Sequence, residues 1–227
     1  MLYARVKRWV KRRFGKDSLV WKALTPLAAV INLPKTVYRN IRKDSTFRFE
    51  SEMDMCSLFP ESLLDFTLAR FRPESVLDLG CGVGRSLDYF LEHGVDAIGV
   101  ENSPLAIRHA RNADHIVQAN LNDPVDLGRR FDLVWSYEVV EHIHPQFVDN
   151  LMETFSKHAD RVVLSAARPG QGGQGHFNEQ PPAYWIEKFE GRGYRYDAES
   201  ASLLHDQPEE FAENMLVFVR DPRKPTT

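Results

Sequence analysis

From Ser75 onward the chain alternates short apolar runs with stretches of helical periodicity, and this alternation restricts its fold more than any other feature. The apolar runs are Ser75–Leu79, Asp96–Val100, His115–Ala119, Phe131–Trp135 and Arg161–Ala166. Helices are predicted over 84–93, 104–111, 146–158 and 182–190. The second opens on Ser103-Pro104, a capping side chain followed by a first-turn proline. Continuous apolar strands separated by helices make a parallel sheet covered on both faces. The fold expected is α/β, doubly wound. Two later runs, Tyr194–Asp197 and Met215–Arg220, are close enough in sequence to pair antiparallel. A further helix over 60–70 precedes the first strand, and Trp185 and Phe189, at i and i+4, face the core.

The first strand runs into Asp78-Leu79-Gly80-Cys81-Gly82-Val83-Gly84-Arg85. A strand that ends in a glycine-rich turn and a helix start offers free N–H groups and close backbone approach. In an open α/β sheet that turn lies at the carboxyl edge, where ligands bind. A dinucleotide fingerprint needs a glycine three residues after its second, and Arg85 stands there. The second strand ends Ile98-Gly99-Val100-Glu101-Asn102, and a carboxylate at that point can accept both hydroxyls of a ribose. The third ends at Ala119-Asn120-Leu121-Asn122, where an amide and backbone groups can read an adenine edge.

Taken in order, D-L-G-C-G-x-G, G-V-E-N-S, the Asn120 segment and the run Phe131–His142 resemble class I methyltransferases that use S-adenosylmethionine, over about residues 70–165. The resemblance implies a Rossmann-like sheet of seven strands, mostly parallel with an antiparallel last strand. It also implies cofactor roles by position. Asp78 and the turn Gly80, Cys81, Gly82 take the methionine end, and Glu101 the ribose, with Asn102 next to it. Asn120 and Leu121 sit by the adenine, where many members carry Asp in place of Asn120. Tyr137 closes the site after the fourth strand. A nicotinamide-dependent oxidoreductase shares the strand-turn-helix, but Arg85 stands against it. A non-catalytic partner protein of the same fold is the other alternative. Asp132 reads as a strand start and Cys81 as a small turn residue.

Glu138-x-x-Glu141-His142 adds two carboxylates and an imidazole. On a helix they share one face and suit a divalent cation. The run resembles one in metal-dependent methyltransferases, including ubiquinone-pathway O-methyltransferases and small-RNA 2′-O-methyltransferases. A magnesium, manganese or zinc site would use Glu138, Glu141 and His142, with His176 as fourth ligand; the alternative gives Glu141 and His142 to capping and packing. A hydroxyl acceptor needs a base or a metal to lower its pKa, and His142, His144 and His176 are the catalytic candidates. Oxygen is therefore preferred over nitrogen, and carbon comes third. Arg168–Gln180 contains Gly170, Gly172, Gly173 and Gly175 and reads either as a substrate lid or as a solvated loop. The acceptor stays open between a small molecule, a glycan, a lipid-linked intermediate, a quinone precursor, a natural product and RNA.

The net charge of −3 conceals an asymmetry: residues 1–43 hold twelve Lys/Arg and one acid, Asp17, and the remainder 17 Lys/Arg against 31 Asp/Glu. Residues 2–14 read as an amphipathic helix with Trp9 and Phe14 on its apolar side, and 19–31 as a second apolar segment broken at Pro26. The chain thus divides into a basic extension, 1–43, and a methyltransferase domain, 44–227, which opens on a polar connector to residue 57. The extension is expected at an anionic membrane surface, with fold-back onto the acidic body, an RNA partner and a mitochondrial presequence as alternatives. No stretch reaches the roughly 18–20 apolar residues of a bilayer span. Two cysteines, Cys56 and Cys81, make no disulfide framework, so the expected location is cytoplasmic, peripheral to a membrane where the extension binds one.

Overall fold

The structure is a computed structural model that describes residues 46–48, 50 and 58–223; the expectations for 1–43, and most of the connector, fall outside these residues. Seven strands build one sheet: β1 (Ser75–Leu79), β2 (Asp96–Glu101), β3 (Ile116–Gln118), β4 (Leu133–Ser136), β5 (Arg161–Ser165), β6 (Tyr194–Tyr196) and β7 (Met215–Arg220). Their spatial order is β3-β2-β1-β4-β5-β7-β6. Strands β1 to β5 pair parallel, and β7 is antiparallel to both β5 and β6. The helices are α1 (Glu61–Phe71), α2 (Arg85–Glu92), α3 (Pro104–His109), α4 (Val148–His158), α5 (Pro182–Glu190) and α6 (Ala198–His205).

Neighbouring residues of the central strands point to opposite faces, and each face has its own core. Leu77, Val134, Val162 and Leu164 pack with Leu151, Phe155, Trp185 and Phe189 of α4 and α5. Val76, Leu133, Trp135 and Val163 pack with Leu63 and Leu64 of α1, Phe90 of α2 and Leu204 of α6. Burying such side chains contributes roughly 1.5–3 kcal/mol each, which is why continuous apolar strands settle here.

Three local departures from the expected pattern have physical causes. Strand β4 starts at Leu133 because Phe131 makes only a single bridge, to Ala159, and Asp132 turns its carboxylate to the N–H groups of Glu74 and Ser75, both at 2.9 Å. Asp132 thus holds the start of β1 against β4. Helix α6 was not expected. Its start is fixed by Asp197, which accepts from the Ser200 N–H at 3.2 Å, and its buried residues include the small Ser200 and Ala201. Finally, Glu138-x-x-Glu141-His142 is not on an α-helix. Glu138 has a left-handed backbone, φ +56°, and only Val140–His142 form a single 3₁₀ turn.

The strand order reverses between β1 and β4, so a crevice opens beyond their carboxyl ends. The two loops meet there. A Cβ on Gly80 would stand 2.5 Å from a Val139 methyl, so only glycine lets the β1 turn lie against the segment leaving β4.

Candidate functional site

The turn after β1 needs all three of its glycines: φ is +76° at Gly80, +58° at Gly82 and +77° at Gly84, a region other residues rarely enter. The N–H groups of Gly80 and Cys81 donate to the Val100 carbonyl at 2.8 and 3.1 Å, which ties the turn to the end of β2. Cys81 is buried, and its Sγ occupies the space a side chain on Gly99 would need; it is a packing residue of the turn.

Two carboxylates line this end of the crevice. Glu101 is 7% exposed; one oxygen accepts from the Gly82 N–H at 3.1 Å and the other from the Ser103 N–H at 2.7 Å. Burial raises its pKa, and the N–H groups of Ser103, Gly82 and Asn102 oppose that rise. Asp78 is 2% exposed, and no donor among the described residues reaches its Oδ2. Burial first, and the Glu101 charge second, push Asp78 up to about 8, against the pull of the Leu87 N–H. A pair of buried acids in this state favours a cation.

Sequence reasoning missed the segment that crosses the end of β2. Asn102 donates to Thr46 Oγ1 at 2.6 Å, and Ser103 Oγ donates to the Phe47 carbonyl at 2.5 Å while capping α3 through the Ala106 N–H. Asn120 and Leu121 follow β3. The Asn120 side chain accepts from the Asn122 N–H at 3.0 Å, closing its own turn, and Leu121 is buried in the core beside Leu79 and Val100. Tyr137 is half-buried and stacked on Trp135, ring centres 6.0 Å apart. Its phenol is held well above the ordinary range by burial, and then by the charges of Glu138, Glu209 and Glu141.

The acidic corner after β4 forms without the helix expected for it. Glu138 donates its N–H to Ser165 Oγ at 2.6 Å and accepts from the same hydroxyl at 2.9 Å, so the strained residue is clamped to the end of β5. Glu141 is fully buried, and no donor among the described residues reaches either of its oxygens. Burial, and then the Glu138 charge, raise its pKa well above the usual range. Ligand atoms of Glu141, His142 and His176 lie within 4.8 Å of one another. The remaining expected ligand, Glu138, is outside that group; its side chain accepts from Ser165 and lies against the Glu141 carboxyl. His144 is not in that group: its Nδ1 accepts from the Gln146 N–H, and its ring packs against Phe147 and against Phe177, the neighbour of His176.

The glycine-rich segment after β5 is anchored to this corner. Phe177 and Asn178 donate their N–H groups to the Glu141 carbonyl at 2.9 and 3.0 Å. His142 Nδ1 lies 3.1 Å from the Gly175 carbonyl and His176 Nδ1 2.8 Å from Glu179, and only protonated nitrogens satisfy those acceptors.

A sheet of this order, with a glycine turn, two buried acids at its carboxyl edge and a second acidic corner after β4, defines a Rossmann-like α/β fold with a ligand crevice at that edge. A family model described as a methyltransferase domain matches residues 50–199. The chain belongs to that family, the class I S-adenosylmethionine-dependent methyltransferases. The ubiquinone biosynthesis O-methyltransferase of Azorhizobium caulinodans is 37% identical over 75 residues, covering 30% of this chain and 30% of that protein. A probable chloroplastic tocopherol O-methyltransferase of Oryza sativa is 30% identical over 111 residues, 43% of this chain and 30% of that protein. The chain thus spans 30% of the length of these curated relatives. A TehB-like SAM-dependent methyltransferase from Corynebacterium glutamicum shares the fold, with a TM-score of 0.58 at 19% identity over 84% of this chain and 100% of that one. The donor set fits the family cofactor, which is cationic and carries a ribose diol: Asp78 brings a buried oxygen without a donor, and Glu101 a carboxylate at the end of β2.

Proposed function

We propose that the protein transfers a methyl group to an oxygen of a small acceptor, a hydroxyl carried by a small molecule, glycan or lipid-linked intermediate. S-adenosylmethionine supplies the electrophilic methyl when bound. The chain's own contribution is placement and charge. Asp78 holds the cationic end of the cofactor, Glu101 the ribose hydroxyls, and the Gly80–Gly84 turn lets the backbone come close. The acceptor meets the corner of Glu141, His142 and His176: its oxygen takes the methyl as the carbon–sulfur bond breaks, leaving a neutral thioether, and the hydroxyl proton passes to an imidazole of that corner or to water.

The observation that carries this reading is Glu141, fully buried against the Glu138 carboxyl, with no donor from the other described residues on either oxygen, beside two imidazoles. A buried carboxylate is costly unless something pairs with it. Carboxylate and imidazole donors suit magnesium, manganese or zinc, so we assign Glu141, His142 and His176 as ligands of a divalent cation, with Glu138 beside them. A cation there would act as a Lewis acid on the acceptor oxygen. The names of the two curated relatives above, both O-methyltransferases, support oxygen as the acceptor atom.

Chelation decides between metal and base. With a metal, a chelator abolishes transfer and added manganese restores it. Full activity in chelator, together with no metal by elemental analysis, returns His142 and His176 to general-base roles.

A further inference from the structure

His176 reaches the acidic corner on a loop, and two residues of that loop determine how its ring is presented. Glu179 is the centre of the loop. Its Oε2 accepts from the Gly170 N–H at 2.9 Å, and its Oε1 accepts from the Gly172 N–H at 2.7 Å and from His176 Nδ1 at 2.8 Å. The side chains of His176 and Glu179 are only 11% and 18% exposed, so water competes poorly for this contact. Gly173 acts on the ring by absence. A Cβ there would lie 2.2 Å from His176 Nε2, 2.4 Å from Cε1 and 2.5 Å from Cδ2. Such similar distances put that Cβ over the ring face rather than in line with the Nε2 lone pair. The neighbouring Gly170, Gly172 and Gly175 have positive φ and serve the turns; Gly173 does not, so alanine suits its backbone and only the ring forbids it. The ring also stands edge-on to His142, centres 4.8 Å apart, which limits where it can move.

We propose that Glu179 and Gly173 are positioning residues for His176. Glu179 fixes the Nδ1–H tautomer and Gly173 gives the ring its seat, so that the Nε2 lone pair is turned out for use at the Glu141–His142 corner. A carboxylate on the far nitrogen also makes an imidazole a better ligand and a better base. The inference deepens the proposed function and rests on its use of His176.

The test uses the full chain with no acceptor. Long-range proton–nitrogen correlations of the imidazoles should show His176 with its proton on Nδ1. In Glu179→Ala the proton should move towards Nε2, the form imidazole prefers in water. Glu179→Gln, whose amide oxygen can still accept from Nδ1, should keep the wild-type signature. Titration with Mn²⁺ alone should be weaker by about 10–100-fold in Glu179→Ala and Gly173→Ala. S-adenosylmethionine affinity, measured alongside, should stay at the wild-type value, which shows that the domain is folded. A wild-type His176 protonated on Nε2, or a Glu179→Ala variant with unchanged tautomer, overturns the proposal. So does a Gly173→Ala variant with wild-type ring signals. If the wild-type protein takes up no Mn²⁺ but the tautomer responds as stated, the metal reading fails and the positioning stands.

Discussion

Asp78 shows how a single residue can work against stability to serve binding. Its pKa is raised from 3.8 to about 8, so the folded protein holds its proton across a range where the unfolded chain has released it. The contribution to stability is therefore fully present below 3.8 and is lost as pH rises to about 8. Asp78→Asn should remove that loss: thermal unfolding of the cofactor-free protein at pH 8 should move upward, with little change at pH 4. The same variant should bind S-adenosylmethionine more weakly. A cation held against Asp78 favours its ionised form, so wild-type affinity should rise with pH up to about 8, and calorimetry in buffers of different ionisation enthalpy should detect the released proton. Glu101→Ala should cost roughly 1–3 kcal/mol of binding, the scale of hydrogen bonds to a charged group. Equal affinity in that variant would remove the ribose assignment.

At this scale the sequence was informative where chemistry follows from position along a strand. Asp78, Glu101 and the three glycines stand at the ends of apolar runs, and strand ends are where such a sheet puts its ligand. It was less informative where a side chain's partner comes from another segment. Ser165 and Thr46 act on residues 27 and 56 positions away, and no local pattern announces them. Gly173 resembled its glycine neighbours until the ring of His176 was placed on it.

Among the elements, β1, β7 and α5 have the bounds that apolar periodicity and turn residues set for them, because burial decides those segments. The turn after β4 differs. Spacing suggested a helix for Glu138, Glu141 and His142, yet β4 has to deliver its chain past Gly80, and the Ser165 clamp holds Glu138 in a left-handed conformation instead. Glu141 and His142 still come together, since adjacent residues of a tight turn can meet as well as those of a helix. The contact between the β1 and β4 loops is testable. Gly80→Ala adds a positive-φ side chain and an overlap with Val139, and should destabilise the domain by about 2–4 kcal/mol in chemical denaturation. An unchanged denaturation midpoint would mean that the loops separate freely.

Across the whole chain, charge is divided unevenly: residues 1–43 carry twelve Lys/Arg against one acid, and the remainder 17 Lys/Arg against 31 acids. We propose that the basic segment brings the protein to an anionic membrane surface, where each Lys or Arg contributes on the order of 1 kcal/mol and salt releases it. Flotation with anionic vesicles at low salt should carry the full chain and leave behind a variant in which the twelve basic residues are neutralised, while both bind S-adenosylmethionine. A full chain that ignores the vesicles favours fold-back onto the acidic remainder.

The central claim, methyl transfer to oxygen at the Glu141–His142–His176 corner, can be read from the product itself. The measurement is incubation of the protein with ¹³C-methyl S-adenosylmethionine and a small-molecule extract of the cells that make it, followed by the chemical shift of the labelled methyl. The wild-type protein should give an O-methyl resonance, and Glu141→Gln, which should retain cofactor binding, should give none above background. Label on nitrogen or carbon, or equal labelling by the wild-type and Glu141→Gln proteins, would contradict the account.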